Sequence, residues 1–236
     1  MGTDTGKGAS YIELASELRG IAAAMKLAKG FAVLECSIGE PISEEDLKAL
    51  EPVYDEEGDD DEAEGVKPSV PKELEELSRV FDGAVLKWRA KAEKGRAIKG
   101  EIYLPALASM DAGEYLGGWE GDGVVWDFAP KTTSGTVFFV DDIEPGAPVK
   151  PSVFVLDRDS YAQGESMELT TAIAAMVDRL GIPGWEIALF GDPDEDDRRA
   201  LEICNTQAAS IRKAIGLPVP AALLPGTRHS SQNRGA

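Results

Sequence analysis

The sequence predicts an α+β fold: an antiparallel β-sheet of about five to six strands, helices packed around it, and a further helix near the C-terminal end. Three observations predict it. Apolar residues recur at helical spacing over 11–29, 72–81 and 167–180. Between the second and third of these stretches lie short segments rich in Val, Ile, Phe, Tyr and Trp, separated by Gly, Pro and Asp. The links between those segments are too short for helical crossovers, so neighbouring strands must run antiparallel.

The elements follow in order. Ile12, Leu14, Leu18, Ile21, Met25 and Leu27 give the first helix its apolar spacing, the Ala run supports it, and Gly30 stops it. A short strand is expected over 31–36. Ser43 caps a second helix, with Glu44, Glu45 and Asp46 in its first turn, and Ile42 and Leu47 at the spacing of a hydrophobic staple. Pro71 opens a third helix over 72–81, with Leu74, Leu77 and Phe81 on one side, and Asp82-Gly83 turns the chain. Strands are expected over 85–90, 97–104, 123–128, 136–140 and 152–157. Ser166 caps a helix over 167–180 with Leu169, Ile173, Met176, Val177 and Leu180 as its stripe, and Gly181 and Pro183 end it. The last helix, 193–215, starts with Asp194 to Asp197 and ends with Arg212 and Lys213, an order that matches the helix dipole. The chain then reads as a flexible start (1–10), a domain over 11–190 with an acidic insert at 55–69, a helical extension (193–215) and a disordered tail (216–236).

The 236 residues suit one mid-sized domain with extensions, and the 43% hydrophobic content is enough for a core. Against 24 Lys+Arg stand 43 Asp+Glu, a net charge of −19. That charge repels nucleic acid and anionic lipid, whose phosphates need neutralising. It attracts a basic protein, or it serves solubility. The segment 55–64 holds eight acids in ten residues, too polar to order itself by burial; without it the net charge is still −11. Acidity therefore belongs to the folded body too. The start of the chain has no apolar run behind basic residues, and no stretch reaches the length of a membrane span, so a cytoplasmic location is expected. Cys36 and Cys204 read as free, partly buried thiols, with a single bridge between them as the alternative.

Catalytic chemistry finds little support. The single histidine, His229, falls in the expected tail, where no imidazole could be held in a cleft. Two separated cysteines and no placed histidine argue against zinc. Asp192, Asp194 and Asp196 alternate like calcium ligands, but Asp197 and Ile203 stand where a calcium loop needs Gly and Glu. No phosphate-binding glycine motif is present. Neither metal nor cofactor is expected. A carboxylate-dependent hydrolase using two of Glu101, Glu114, Glu120, Asp127, Asp141 and Asp142 is a remote alternative. Trp88 and Trp126 read as core. Trp119, in a Gly-rich segment flanked by Glu114 and Glu120, has the character of an aromatic anchor rimmed by acids, or of a loop aromatic folded over the sheet. The candidate partner-binding residues are therefore Asp55, Glu56, Glu57, Asp59, Asp60, Asp61 and Glu62 of the acidic insert, with Glu114, Trp119 and Glu120.

The order of segments carries a resemblance. PISEEDLKALE (41–51) precedes VPKELEELSRVFDGAVLKW (70–88), then IKGEIYLPAL (98–107), VVWDFAP (124–130), TVFFVDD (136–142), VFVLDRD (153–159) and a closing helix. This resembles the SUKH superfamily over 38–180, through diffuse core and turn positions. The resemblance implies a non-enzymatic α+β fold and no catalytic residues. It implies either an immunity protein that binds and neutralises a toxin, as many bacterial members look to be, or a scaffolding regulator, as the fungal members are. The chain departs from the pattern in its acidic insert, in Phe81-Asp82-Gly83 where Asn-Gly is usual, and in everything after 190. A basic toxin domain is the expected partner, with no nucleic acid and no membrane; the regulatory or scaffolding protein is the alternative.

Overall fold

The structure, a computed structural model, describes residues 11–50, 70, 72–91, 97–109, 112–114, 123–129, 135–142, 152–157, 168–189 and 193–224, with backbone alone over 112–114, 123–129, 135–142 and 152–157. Helix α1 (Tyr11–Leu27) leads into strand β1 (Phe31–Ile38), then α2 (Glu44–Ala49), α3 (Lys72–Ser78), β2 (Ala84–Ala90), β3 (Ile98–Leu104), β4 (Ala112–Glu114), β5 (Gly123–Ala129), β6 (Gly135–Asp142), β7 (Ser152–Asp157), α4 (Leu169–Asp178) and α5 (Glu195–Ala214). The α+β class is as expected, and every described ladder is antiparallel. The expected single sheet of five to six strands is not what forms. The described strands pair as β1-β2-β3 and as β4-β5-β6-β7. The short strand β4 had no expectation attached to it; three residues containing a glycine carry no alternating pattern to read.

Alternation explains the first sheet. Ala84, Leu86, Trp88 and Ala90 of β2 are buried, as are Gly100, Ile102 and Leu104 of β3, while the residues between them face outward. The buried face meets α1 and α4, whose stripes supply Leu14, Leu18, Ile21 and Met25, and Leu169, Ile173, Met176 and Val177. Ile12 and Leu27 were expected in the α1 stripe but are 68% and 89% exposed. At 3.6 residues per turn they fall outside the arc centred on Leu14 and Leu18. The second helix begins as read: Ser43 Oγ accepts from the Asp46 N–H at 3.0 Å, and Leu47 is buried with Ile42 packed against the core.

Helix α4 departs from its expected start. Ser166 lies outside the described residues, and the N-cap is Glu168, whose side chain makes no capping bond. The end of α4 is more specific. Leu180 N–H donates to Val177 O and Gly181 N–H to Met176 O, each at 3.0 Å, the paired closure of a Schellman motif. Leu180 occupies the left-handed region at φ 58, where a branched side chain costs about 1 kcal/mol. Its neighbours hold it there. The side chain is fully buried, and its carbonyl accepts from Trp88 Nε1 at 2.9 Å. Gly181 lies so close to β3 that an added Cβ would sit 2.1 Å from Glu101 O, and its own carbonyl accepts from Glu101 N–H.

Helix α5 is capped by Asp194, whose carboxylate accepts from Asp197 N–H at 2.8 Å. It buries Cys204, Ala208, Ile211 and Arg212, so it belongs to the main core and is not an appended extension. Arg212 is 1% exposed. Its guanidinium donates to the carbonyls of Asp178 (2.9 Å), Val177 (3.1 Å) and Pro218 (3.3 Å) and to Glu17 Oε1 (2.6 Å). One side chain thereby satisfies the last carbonyls of α4 and ties α1 to α5. Residues 216–224 also correct an expectation: they fold back onto the body, with Leu223 buried and Leu217 and Val219 packed against the core. Residues 1–10 and 225–236 lie outside the described residues. Both cysteines are free thiols; Cys204 is buried, and Cys36 is exposed where partial burial was expected.

Candidate protein-binding face

The residues singled out from sequence are not brought together. Asp55, Glu56, Glu57, Asp59, Asp60, Asp61, Glu62, Trp119 and Glu120 lie outside the described residues. Glu114 ends β4, paired in register with Val124. Among the hydrolase candidates, Glu101 is paired with Lys87 at 3.2 Å. Asp142 and Asp141 stand opposite Gly123 and Val124, Asp127 opposite Phe138, and Glu120 is outside the described residues. Of the alternating acids, Asp194 caps α5 and Asp196 pairs with Arg199 at 3.9 Å, while Asp192 lies outside the described residues. Among the described residues no group of three or more His, Cys, Asp and Glu could hold a metal ion.

A different acid-rimmed aromatic appears. Tyr11 opens α1, half-buried against the core, and feels Glu73 and Glu76 of α3 and Glu168 at the start of α4. Burial pushes the phenol well above its ordinary range, and the three carboxylates push it further, so the hydroxyl stays protonated. Local rules place each group. Leu74 and Leu77 turn one face of α3 inward, which leaves Glu73 and Glu76 on its flank and rim. Glu76 pairs with Lys72 at 3.5 Å across one exposed helical turn. Glu168 is held by its cap position, its carbonyl accepting from Thr171 and Ala172. Ile12, the next residue in α1, is exposed.

A half-buried ring with a protonated hydroxyl thus stands within the field of three acids from two elements, α3 and the start of α4. Such a face suits a basic partner: the aromatic supplies apolar area, and the acids steer and pair with cations. Sequence reading missed it because Tyr11, Glu73 and Glu168 are far apart in the chain and only packing joins them. Arg79 lies further along, pairing with Glu44 and Glu75 and joining α2 to α3.

No family model matches the chain, and neither a curated protein nor a solved structure does. No described helix is long and apolar enough to cross a membrane.

Proposed function

We propose that the chain is a non-enzymatic protein-binding module of the SUKH type, cytoplasmic, acting as an immunity-type inhibitor that binds and neutralises a basic toxin domain. The observation that carries this reading is the half-buried Tyr11 ringed by Glu73, Glu76 and Glu168 on a chain of net charge −19. A toxin that attacks nucleic acid must hold phosphates and so presents cations. An acidic inhibitor meets those cations quickly and covers them. The segment order over 38–180 supports the SUKH reading. The contact of β3 with β5 is compatible with it.

The test pairs the protein with the basic toxin-like products of neighbouring genes. Co-expression should protect cells from one of them, and calorimetry should show a complex that weakens with salt. Tyr11→Ala with Glu73→Lys and Glu168→Lys should abolish both. If no neighbouring product binds and none is neutralised, the inhibitor reading fails. A non-toxic partner bound through the same face points instead to a regulatory or scaffolding role.

A further inference from the structure

Helix α1 buries Leu14, Leu18, Ile21 and Met25 and turns its other side to solvent. At about 100° per residue, Ile12, Ser16, Gly20, Ala23 and Leu27 fall within roughly 80° of arc, almost diametrically opposite the buried set. All five are exposed. Ile12 and Leu27 are the two most exposed large apolar side chains among the described residues. They stand at the two ends of this side, about 22 Å apart along the axis. Gly20 lies between them. A Cβ built there would meet nothing within 4 Å, so the chain's own packing does not call for glycine. Glycine inside a helix is destabilising relative to alanine. Bare backbone in the middle of an exposed helix side instead suits the close approach of a second helix.

The two flanks of this side carry opposite charge. By the same helical spacing, Glu13 and Glu17 line one flank, and Arg19 and Lys26 line the other. Among the described residues no carboxylate pairs with Arg19 or Lys26. Glu17 holds Arg212 through Oε1. On a chain of net charge −19, this surface is locally balanced, with two acids to two bases.

We infer that this side of α1 docks a second copy of the chain, with the two α1 helices parallel about a twofold axis. A twofold interface needs a surface that complements itself. In the parallel pair the acidic flank of each copy lies against the basic flank of the other. Large side chains then meet at both ends, and the Gly20 backbones meet at the centre. The antiparallel pair sets like flanks together and brings Arg19 beside its own copy. A uniformly basic partner is opposed by Arg19 and Lys26, and a uniformly acidic one by Glu13 and Glu17; a copy matches both flanks. One helix pair is a small interface, so the expected Kd is on the order of 10 μM. The inference is independent of the toxin-binding reading, since Tyr11, Glu73, Glu76 and Glu168 take no part in it.

Sedimentation equilibrium of the full chain between about 1 and 200 μM tests it and should show a monomer–dimer equilibrium. Gly20→Leu adds bulk where the monomer has room. It should raise the melting temperature of the dilute monomer and weaken the dimer by roughly tenfold or more. A gain in stability with a loss of association separates docking from folding. Leu27→Gln, at an exposed position, should weaken the dimer without unfolding the chain. In a Cys36→Ser background, Leu27→Cys chains should oxidise to a disulfide-linked dimer. A monomer at every concentration overturns the inference, and so does a dimer that Gly20→Leu leaves intact. Linkage that forms only between mixed Ile12→Cys and Leu27→Cys chains overturns the parallel arrangement.

Discussion

The Trp88 indole N–H donates to the Leu180 carbonyl at 2.9 Å and so joins the middle of β2 to the cap of α4. Gly100 is the clearance for this bond. A Cβ there would lie 2.4 Å from Leu180 O and 2.6 Å from Trp88 Nε1. Trp88→Phe leaves the carbonyl buried without its donor and should cost about 1–3 kcal/mol. Gly100→Ala should cost a similar amount or more, about 3 kcal/mol, because backbone has to move. Urea midpoints with unchanged slopes check both.

Arg212 should behave as a keystone. Arg212→Ala removes a donor from three backbone carbonyls and from Glu17, and leaves Asp178 without its neighbouring cation at 3.7 Å. Removing one partner of a buried charged network costs about 3–5 kcal/mol. Glu17→Gln keeps the backbone bonds and should cost much less, since Glu17 is more than a third exposed. Thermal melts of the two variants separate these contributions.

Asp178 sets a pH dependence. Burial pushes its carboxyl up to about 6, and Glu17 adds to the rise while Arg212 and Arg179 oppose it. The folded chain therefore holds this proton more tightly than the unfolded chain, whose carboxyl titrates near the ordinary value of about 4. Ionised Asp178 costs stability above pH 6. That cost is relieved as pH falls through about 6 and is gone below about 4. Asp178→Asn should raise stability at neutral pH by on the order of 2 kcal/mol and flatten the pH 4–7 part of the curve. An unaltered profile in that variant would place the titration elsewhere.

Thiol counting should distinguish the two cysteines. Burial pushes Cys204 up to about 12, with Glu186 adding to the rise and Arg179 opposing it, whereas Cys36 is exposed. One thiol per native chain should react with an aromatic disulfide reagent at neutral pH, and two after unfolding. Cys36→Ser should remove the fast reaction.

Tyr11 should stay dark in an alkaline absorbance titration. Its phenol is held protonated by burial and by Glu73, Glu76 and Glu168. Tyr11→Phe should therefore leave the native phenolate signal unchanged and lower the signal only once the chain unfolds.

Much of the helical framework was legible because its signals are local. Ser43 before three acids, Asp194 before three more and the apolar stripe of α4 each need only neighbouring residues to work. Arg212 was legible only as a charge suiting the end of a helix. Its burial depends on α1 and α4, distant in sequence. The tail looked unstructured from its Pro and Gly content, but Leu217 and Leu223 find a surface that the sequence does not advertise. The same limit hid the candidate face, because Tyr11, Glu73 and Glu168 become neighbours only when three helices pack. The partition of strands into two ladders was equally invisible, since alternation shows which face is buried and not which strand lies alongside.

The bond from Glu101 N–H to Gly181 O bears on aggregation. An exposed strand edge can template another chain, and a fibril needs two such edges per molecule. Here the cap of α4 occupies part of the β3 edge, and β1 is the other edge of the three-stranded sheet among the described residues. The register of β1 slips between Val33 and Glu35, and that irregularity spoils a flat template. With one edge occupied and the other irregular, this sheet offers no pair of flat edges for a growing stack.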